Sequence, residues 1–172
     1  TVRLPNTIDG GAVSFKDKAL YDKAVLVRDY GIDRPRFRDD MKEISPLCDI
    51  ALPGYGATPS EINSYVGCIQ MEVIDELLEK QQQQARKWDV LLDEKEVKPV
   101  SVVAGTKPNY WVYGVLAENK RVFMEEWRLK GYYVSGVHLP NTYYSVFGKP
   151  ELRGVLEFYS KYVALPCGWW LG

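Results

Sequence analysis

His138 is the only histidine in the chain, so nucleophilic Cys-His chemistry would need it beside Cys48, Cys68 or Cys167. Those three cysteines are odd in number and far apart, which excludes a disulfide framework and the paired spacing of a zinc site. Small buried thiols are the simpler expectation. Arg34, Arg36 and Arg38 would share one side of an extended backbone, where three guanidinium groups could hold a diphosphate as a candidate phosphate-binding loop. Asp33, Asp39 and Asp40 lie among them, and a solvated loop of mixed charge is the alternative. Gly54-Tyr55-Gly56-Ala57 could bring backbone amides to an anion at a helix start. Pro59 removes one donor there, Thr58 and Glu61 side chains would satisfy others, and no third glycine completes a dinucleotide fingerprint.

Recognisable elements position these groups. Asp9-Gly10-Gly11 is a turn feeding Ala12 to Phe15, an alternating run that reads as a strand. Asp17 then caps a helix with Leu20, Ala24 and Val27 on one face, and Gly31 sits where a left-handed cap belongs. Residues 31–47 are too charged and proline-broken for a core element and form a long loop. Thr58-Pro59-Ser60-Glu61 is a capping box, and the stripe Ile62, Val66, Ile69, Val73, Leu77, resumed at Trp88, Leu91 and Leu92, predicts a helix from 59 to about 92. At about 1.5 Å per residue it reaches ~50 Å, so it connects two bodies, with Gln81 to Gln84 as its exposed middle. Beyond Lys98 the pattern predicts an antiparallel pair, Val100–Val103 with Tyr110–Leu116. Helices at 119–130 and near 150–161 follow, with a strand at 132–139 between them, which gives a small α+β body. Its many aromatic residues would fill a core or, alternatively, stack on sugar rings. The apolar end Cys167 to Leu171 calls for a partner surface or more chain.

The chain has 172 residues and is balanced at 22 Lys+Arg against 23 Asp+Glu, so it lacks the basic footprint of a nucleic-acid binder. No apolar stretch approaches the roughly 20 residues of a membrane span, and the N-terminus does not lead into a signal peptide, so the expected location is cytoplasmic. The first residue is not methionine, which points to a processed or truncated product.

The order of these landmarks resembles the C-terminal half of the pyridoxal-phosphate-dependent nucleotide-sugar aminotransferases of the DegT/StrS type. The matching pieces are Asp9-Gly10-Gly11-Ala12-Val13, Leu26 to Ile32, and Gly54-Tyr55 opening the long helix. Gly67, Gln70, Met71 and Asp75 lie within that helix, followed by Lys130-Gly131, Ser135 to Pro140, and Leu165-Pro166. The resemblance implies an α/β fragment of aminotransferase fold type I. In it, residues 1–57 are the end of the large cofactor domain and its sheet, 58–97 the long connecting helix, and 98–172 a small α+β domain with an antiparallel sheet.

It also implies transfer of an amino group from glutamate to a nucleotide-linked keto-sugar, in surface-polysaccharide or amino-sugar biosynthesis, by a homodimer with pyridoxal 5'-phosphate on a lysine imine. In the family pattern that lysine lies seven residues before the first glycine of the Gly-Gly pair, and here the position holds Arg3. A guanidinium stays protonated at physiological pH and cannot form the imine, and no lysine precedes Lys16. Gly56 and Thr58 stand where the family has asparagine and arginine, beside Tyr55, and His138 matches a family histidine near the substrate. The remaining cofactor groups belong to the family's N-terminal half. The expectation is therefore a C-terminal part that binds no cofactor alone, is inactive alone, and associates with a missing N-terminal half or as a homodimer. The alternative is a degenerate module that binds a sugar nucleotide or a partner subunit without catalysis. Neither reading calls for metal, nucleic acid or membrane.

Overall fold

A computed structural model of the chain describes residues 3–92 and 97–171. Thr1, Val2, Gly172 and the end of the expected connecting segment, 93–96, lie outside the described residues. The chain forms two compact units, one of residues 6–70 and one of residues 71–172 together with 1–5, so the division falls at residue 70.

In the first unit, Asp17 caps helix α1 (Lys18–Val27) by accepting from the Ala19 and Leu20 amides, as the sequence leads one to expect. Gly31, at φ +77°, lies beyond the helix end and sends its N–H back to Leu26 O at 2.8 Å. The preceding strand is a correction: residues 11–15 run without regular structure and pair with no strand among the described residues. A strand is defined by neighbours for its N–H and C=O groups, and an alternating pattern does not supply them. Residues 27–31 instead pair with 54–57. Tyr55 N donates to Val27 O at 2.7 Å, Tyr30 N to Tyr55 O at 3.1 Å, and Ala57 N to Arg28 O at 2.9 Å. A Cβ on Gly54 would sit 2.7 Å from Val27 O, so the crossing requires glycine.

The expected loop contains a short helix, α2 (Arg34–Phe37), and a bridge between Arg38 and Ile44. Helix α3 (Glu61–Leu91) begins after the proline. Ser60 and not Thr58 caps it, its hydroxyl taking the Asn63 amide at 3.2 Å.

The second unit holds a three-stranded antiparallel sheet in the order β1 (Val97–Pro99), β2 (Val112–Ala117), β3 (Tyr162–Pro166). Two expectations are corrected here. The strand paired with β2 on one side is 97–99, and of the expected 100–103 Val100 continues that pairing, its N–H reaching Gly114 O at 2.9 Å. Residues 132–139, expected as a strand, pair with the sheet backbone among the described residues only through the Ser135–Ala164 bridge, while β3 runs along the other edge of β2, from Val112↔Pro166 to Leu116↔Tyr162. Helices α4 (Lys120–Leu129) and α5 (Arg153–Lys161) complete the unit.

The alternation of β2 buries Tyr113, Val115 and Ala117 against Trp88, Phe123, Val134, Val163 and Leu165. Trp88 meets Trp127 and Tyr132 edge-on at 5.3 Å and donates its indole N–H to Pro166 O at 2.8 Å.

The glutamine run is the clearest correction. Gln81 and Gln82 are buried, at 1% and 8% exposure, and donate to Asn109 O and Pro108 O, while Gln84 reaches Leu171 O at 2.6 Å. Long polar side chains enter a core when backbone carbonyls wait for them. Of the three thiols only Cys167 is buried, whereas Cys68 is exposed and Cys48 intermediate.

Candidate functional site

The N-terminal residues bring Arg3 into the second unit, where its guanidinium carbon lies 4.6 Å from the centre of the Trp111 ring. His138 stacks on the same indole, with centroids 6.3 Å apart and planes 22° from parallel. Two elements fix this pair. Trp111 immediately precedes β2, and the Ser135–Ala164 bridge anchors the segment that leads to His138. Both approaches are conformationally unusual. Tyr110 has φ +50°, and Val137, a β-branched residue, has φ +62°. The Val137 amide reaches Ser135 Oγ at 3.2 Å and the His138 amide reaches Gly136 O at 2.8 Å. Outliers on both sides of one ring pair are the kind of stored strain that clusters at binding sites.

Beside the pair lies a cavity of about 270 Å³ walled by Trp111, His138, Leu139, Phe158, Tyr159 and Tyr162, with further apolar residues. Lys120 lies against Tyr159, its Nζ 3.9 Å over that ring and 2.8 Å from Tyr159 O. Burial holds its pKa below the ordinary lysine value. The Trp111 indole N–H is buried with no acceptor among the described residues. Trp111 also lines a second cavity, about 410 Å³, with Tyr113, whose hydroxyl donates to Asp89 at 2.5 Å. Desolvation, followed by that carboxylate, raises the Tyr113 pKa.

Gly56 and Thr58 are brought together in the first unit, where they line a cavity of about 600 Å³ with Asp9, Gly10, Arg28 and Asn63. Tyr55 is 73% exposed and contributes backbone groups to the 27–31 crossing.

The three arginines do not lie on an extended backbone, because Arg34 and Arg36 are in α2. Arg34 makes a forked pair with Asp29, at 2.5 and 2.6 Å, and this bond holds the Asp29 carboxyl below its usual pKa. Arg38 donates to Lys42 O at 2.7 Å, and Arg36 lines a separate cavity with Asp33 and Asp49. Among the described residues no cluster of His, Cys, Asp or Glu could hold a metal, and no helix is long and apolar enough to cross a membrane. Trp111, expected within the strand Tyr110–Leu116, stands just before β2 instead, and no spacing in the sequence joins it to Arg3 or His138.

Residues 3–170 match the family model described as the DegT/DnrJ/EryC1/StrS aminotransferase family. The chain belongs to that family. It is 26% identical over 177 residues to the UDP-4-amino-4,6-dideoxy-N-acetyl-beta-L-altrosamine transaminase of Campylobacter jejuni, covering 96% of this chain and 45% of the relative. A sugar aminotransferase from Micromonospora echinospora superimposes with a TM-score of 0.78 at 28% identity, over 91% of this chain and 42% of that one. An aminotransferase involved in the biosynthesis of pseudoaminic acid, from Helicobacter pylori, gives a TM-score of 0.72 at 22% identity, over 91% and 43%, and at that identity supports the fold alone. The chain thus spans less than half the length of the relatives it matches. Its architecture is the corresponding portion of a fold type I aminotransferase, and the family is pyridoxal-phosphate-dependent.

Arg3, at the position where the resemblance places the imine-forming lysine, carries a guanidinium packed on an indole and cannot supply that amine.

Proposed function

We propose that this chain is the C-terminal part of a nucleotide-sugar aminotransferase-like protein that acts on a nucleotide-linked keto-sugar, with glutamate as donor, in surface-polysaccharide or amino-sugar biosynthesis. The family match over residues 3–170 carries this reading, and the likeness to a sugar-nucleotide transaminase supports the substrate class. Within it, residues 1–57 complete the large domain, 58–97 connect, and 98–172 form the small domain. Tyr55, Gly56, Thr58 and His138 are the residues we assign to the neighbourhood of sugar and cofactor in a homodimer or in association with an N-terminal half. The chain alone is inactive, because no amine stands at position 3. Incubation with pyridoxal phosphate, borohydride reduction and peptide mass mapping should give no stoichiometric pyridoxyl-lysine. Such an adduct would overturn the assigned inactivity.

Arg3 on Trp111 favours a second reading, a non-catalytic relative that binds a sugar nucleotide or a partner subunit. Assay of the native polypeptide with glutamate and a UDP-linked keto-sugar separates the two: turnover supports the first, and binding without turnover the second.

A further inference from the structure

We infer that the second unit binds a small methylated or quaternary ammonium ion in its 410 Å³ cavity, at the end formed by Asp89, Tyr110 and Tyr113. The inference rests on this unit's own residues and is independent of whether the complete protein transaminates.

The cavity begins where the pairing of β1 with β2 ends. Val100 N–H still reaches Gly114 O at 2.9 Å, and beyond that bond residues 101–103 and 108–111 line the opening. A Cβ on Gly114 would fall 2.9 Å from the Tyr162 ring and 3.1 Å from Val100, so glycine in this strand leaves Tyr162 its place in the wall. Tyr110 and Tyr113 stack with centroids 6.1 Å apart and planes 19° from parallel. Asp89 Oδ1 accepts from the Tyr113 hydroxyl at 2.5 Å, and Oδ2 has no partner among the described residues. Desolvation and that carboxylate keep the phenol protonated, so Asp89 carries the one formal charge among the described residues that line the cavity. Electron-rich ring faces attract a cation, and a carboxylate beside them adds direct Coulomb attraction. A methylated ammonium suits such walls because its methyl groups cover the charge with apolar surface that is cheap to desolvate. Neither glutamate nor a keto-sugar carries that group. Arg3 lies over Trp111 and does not line this cavity, which assigns the bound cation to the Asp89 end.

Choline and its neutral carbon isostere 3,3-dimethylbutan-1-ol share a shape and differ in charge, and saturation-transfer NMR titration of the full chain measures both. Choline should bind about fivefold or more tighter than the alcohol. Asp89→Asn keeps an acceptor for Tyr113 and should weaken choline about threefold while leaving the alcohol unchanged. Tyr110→Leu should weaken choline more than the alcohol, whereas Asp75→Asn, on an exposed position of α3, should change neither. Thermal melts establish that each variant is folded. Equal affinity for the two compounds would overturn the inference. So would an Asp89→Asn variant that weakens both alike or neither, or no saturation transfer to choline at about 10 mM.

Discussion

The two units keep their apolar residues in different ways. Residues 71–172 enclose a continuous core in which Val115, Val134, Val163 and Leu165 are inaccessible to solvent. Residues 6–70 bury no large apolar side chain among those described: Val13 is 78% exposed, Ile62 70% and Leu47 85%. That unit is held by backbone hydrogen bonds across 27–31 and 54–57, by the Asp29–Arg34 pair and by caps. The same kind of helical and alternating pattern therefore yields a closed core in one region and an open apolar face in the other. Periodicity states which face is apolar, and only the chain's remaining contacts decide whether that face is covered.

The sharpest way to break this comparison is to open the closed core. Leu165→Ala should cost about 2–5 kcal/mol in denaturant unfolding, the range for a buried large-to-small change whose cavity cannot fully collapse. A loss below about 1 kcal/mol would mean that this unit is no better packed than the other.

The glutamines sharpen the comparison inside one helix. Gln81→Ala removes a buried donor from Asn109 O and should cost about 1–3 kcal/mol. Exposed Gln83, two positions on, should tolerate the same change within about 0.5 kcal/mol. Equal effects would place the run in solvent, as its composition suggests.

Ionisation tests the same enclosure. Desolvation, with Asp89 nearby, pushes the Cys167 thiol up to about 11 from its ordinary 9.0. The unfolded chain then loses this proton first as pH rises. The thiol's contribution to stability is constant below about 9 and declines as pH climbs toward 11. Cys167→Ala should flatten that decline in a series of unfolding curves. At neutral pH a thiol reagent should modify Cys68 first and reach Cys167 only on unfolding.

These cases show where the sequence was legible. Helix α3 was, because a long stripe of one period admits few alternatives, and so was α1 with its Asp17 cap. The burial of Gln81 was not, since its partner carbonyls sit on a loop whose path no local pattern specifies. The strand expected at 132–139 shrinks to the single Ser135–Ala164 bridge, and Val137, at φ +62°, leaves extended geometry in a way no alternating pattern announces. At the site, His138 was legible as the only histidine and Arg3 as a departure from a family pattern. Their meeting on Trp111 was not, because it joins segments distant in sequence through a tertiary contact.

The smallest expected effect probes the open face directly. Ile62 belongs to the stripe that announced α3, and a residue in such a stripe would ordinarily be costly to truncate. In this chain its side chain is largely in water, so Ile62→Ala should change the unfolding free energy by less than about 0.5 kcal/mol. Alanine's better helix propensity offsets part of even that. A cost of about 2 kcal/mol or more, measured on the dilute chain and again at high concentration, would show that the face is covered in solution. If the cost appeared only at high concentration, the cover would be a second copy, because stability gained by association depends on protomer concentration.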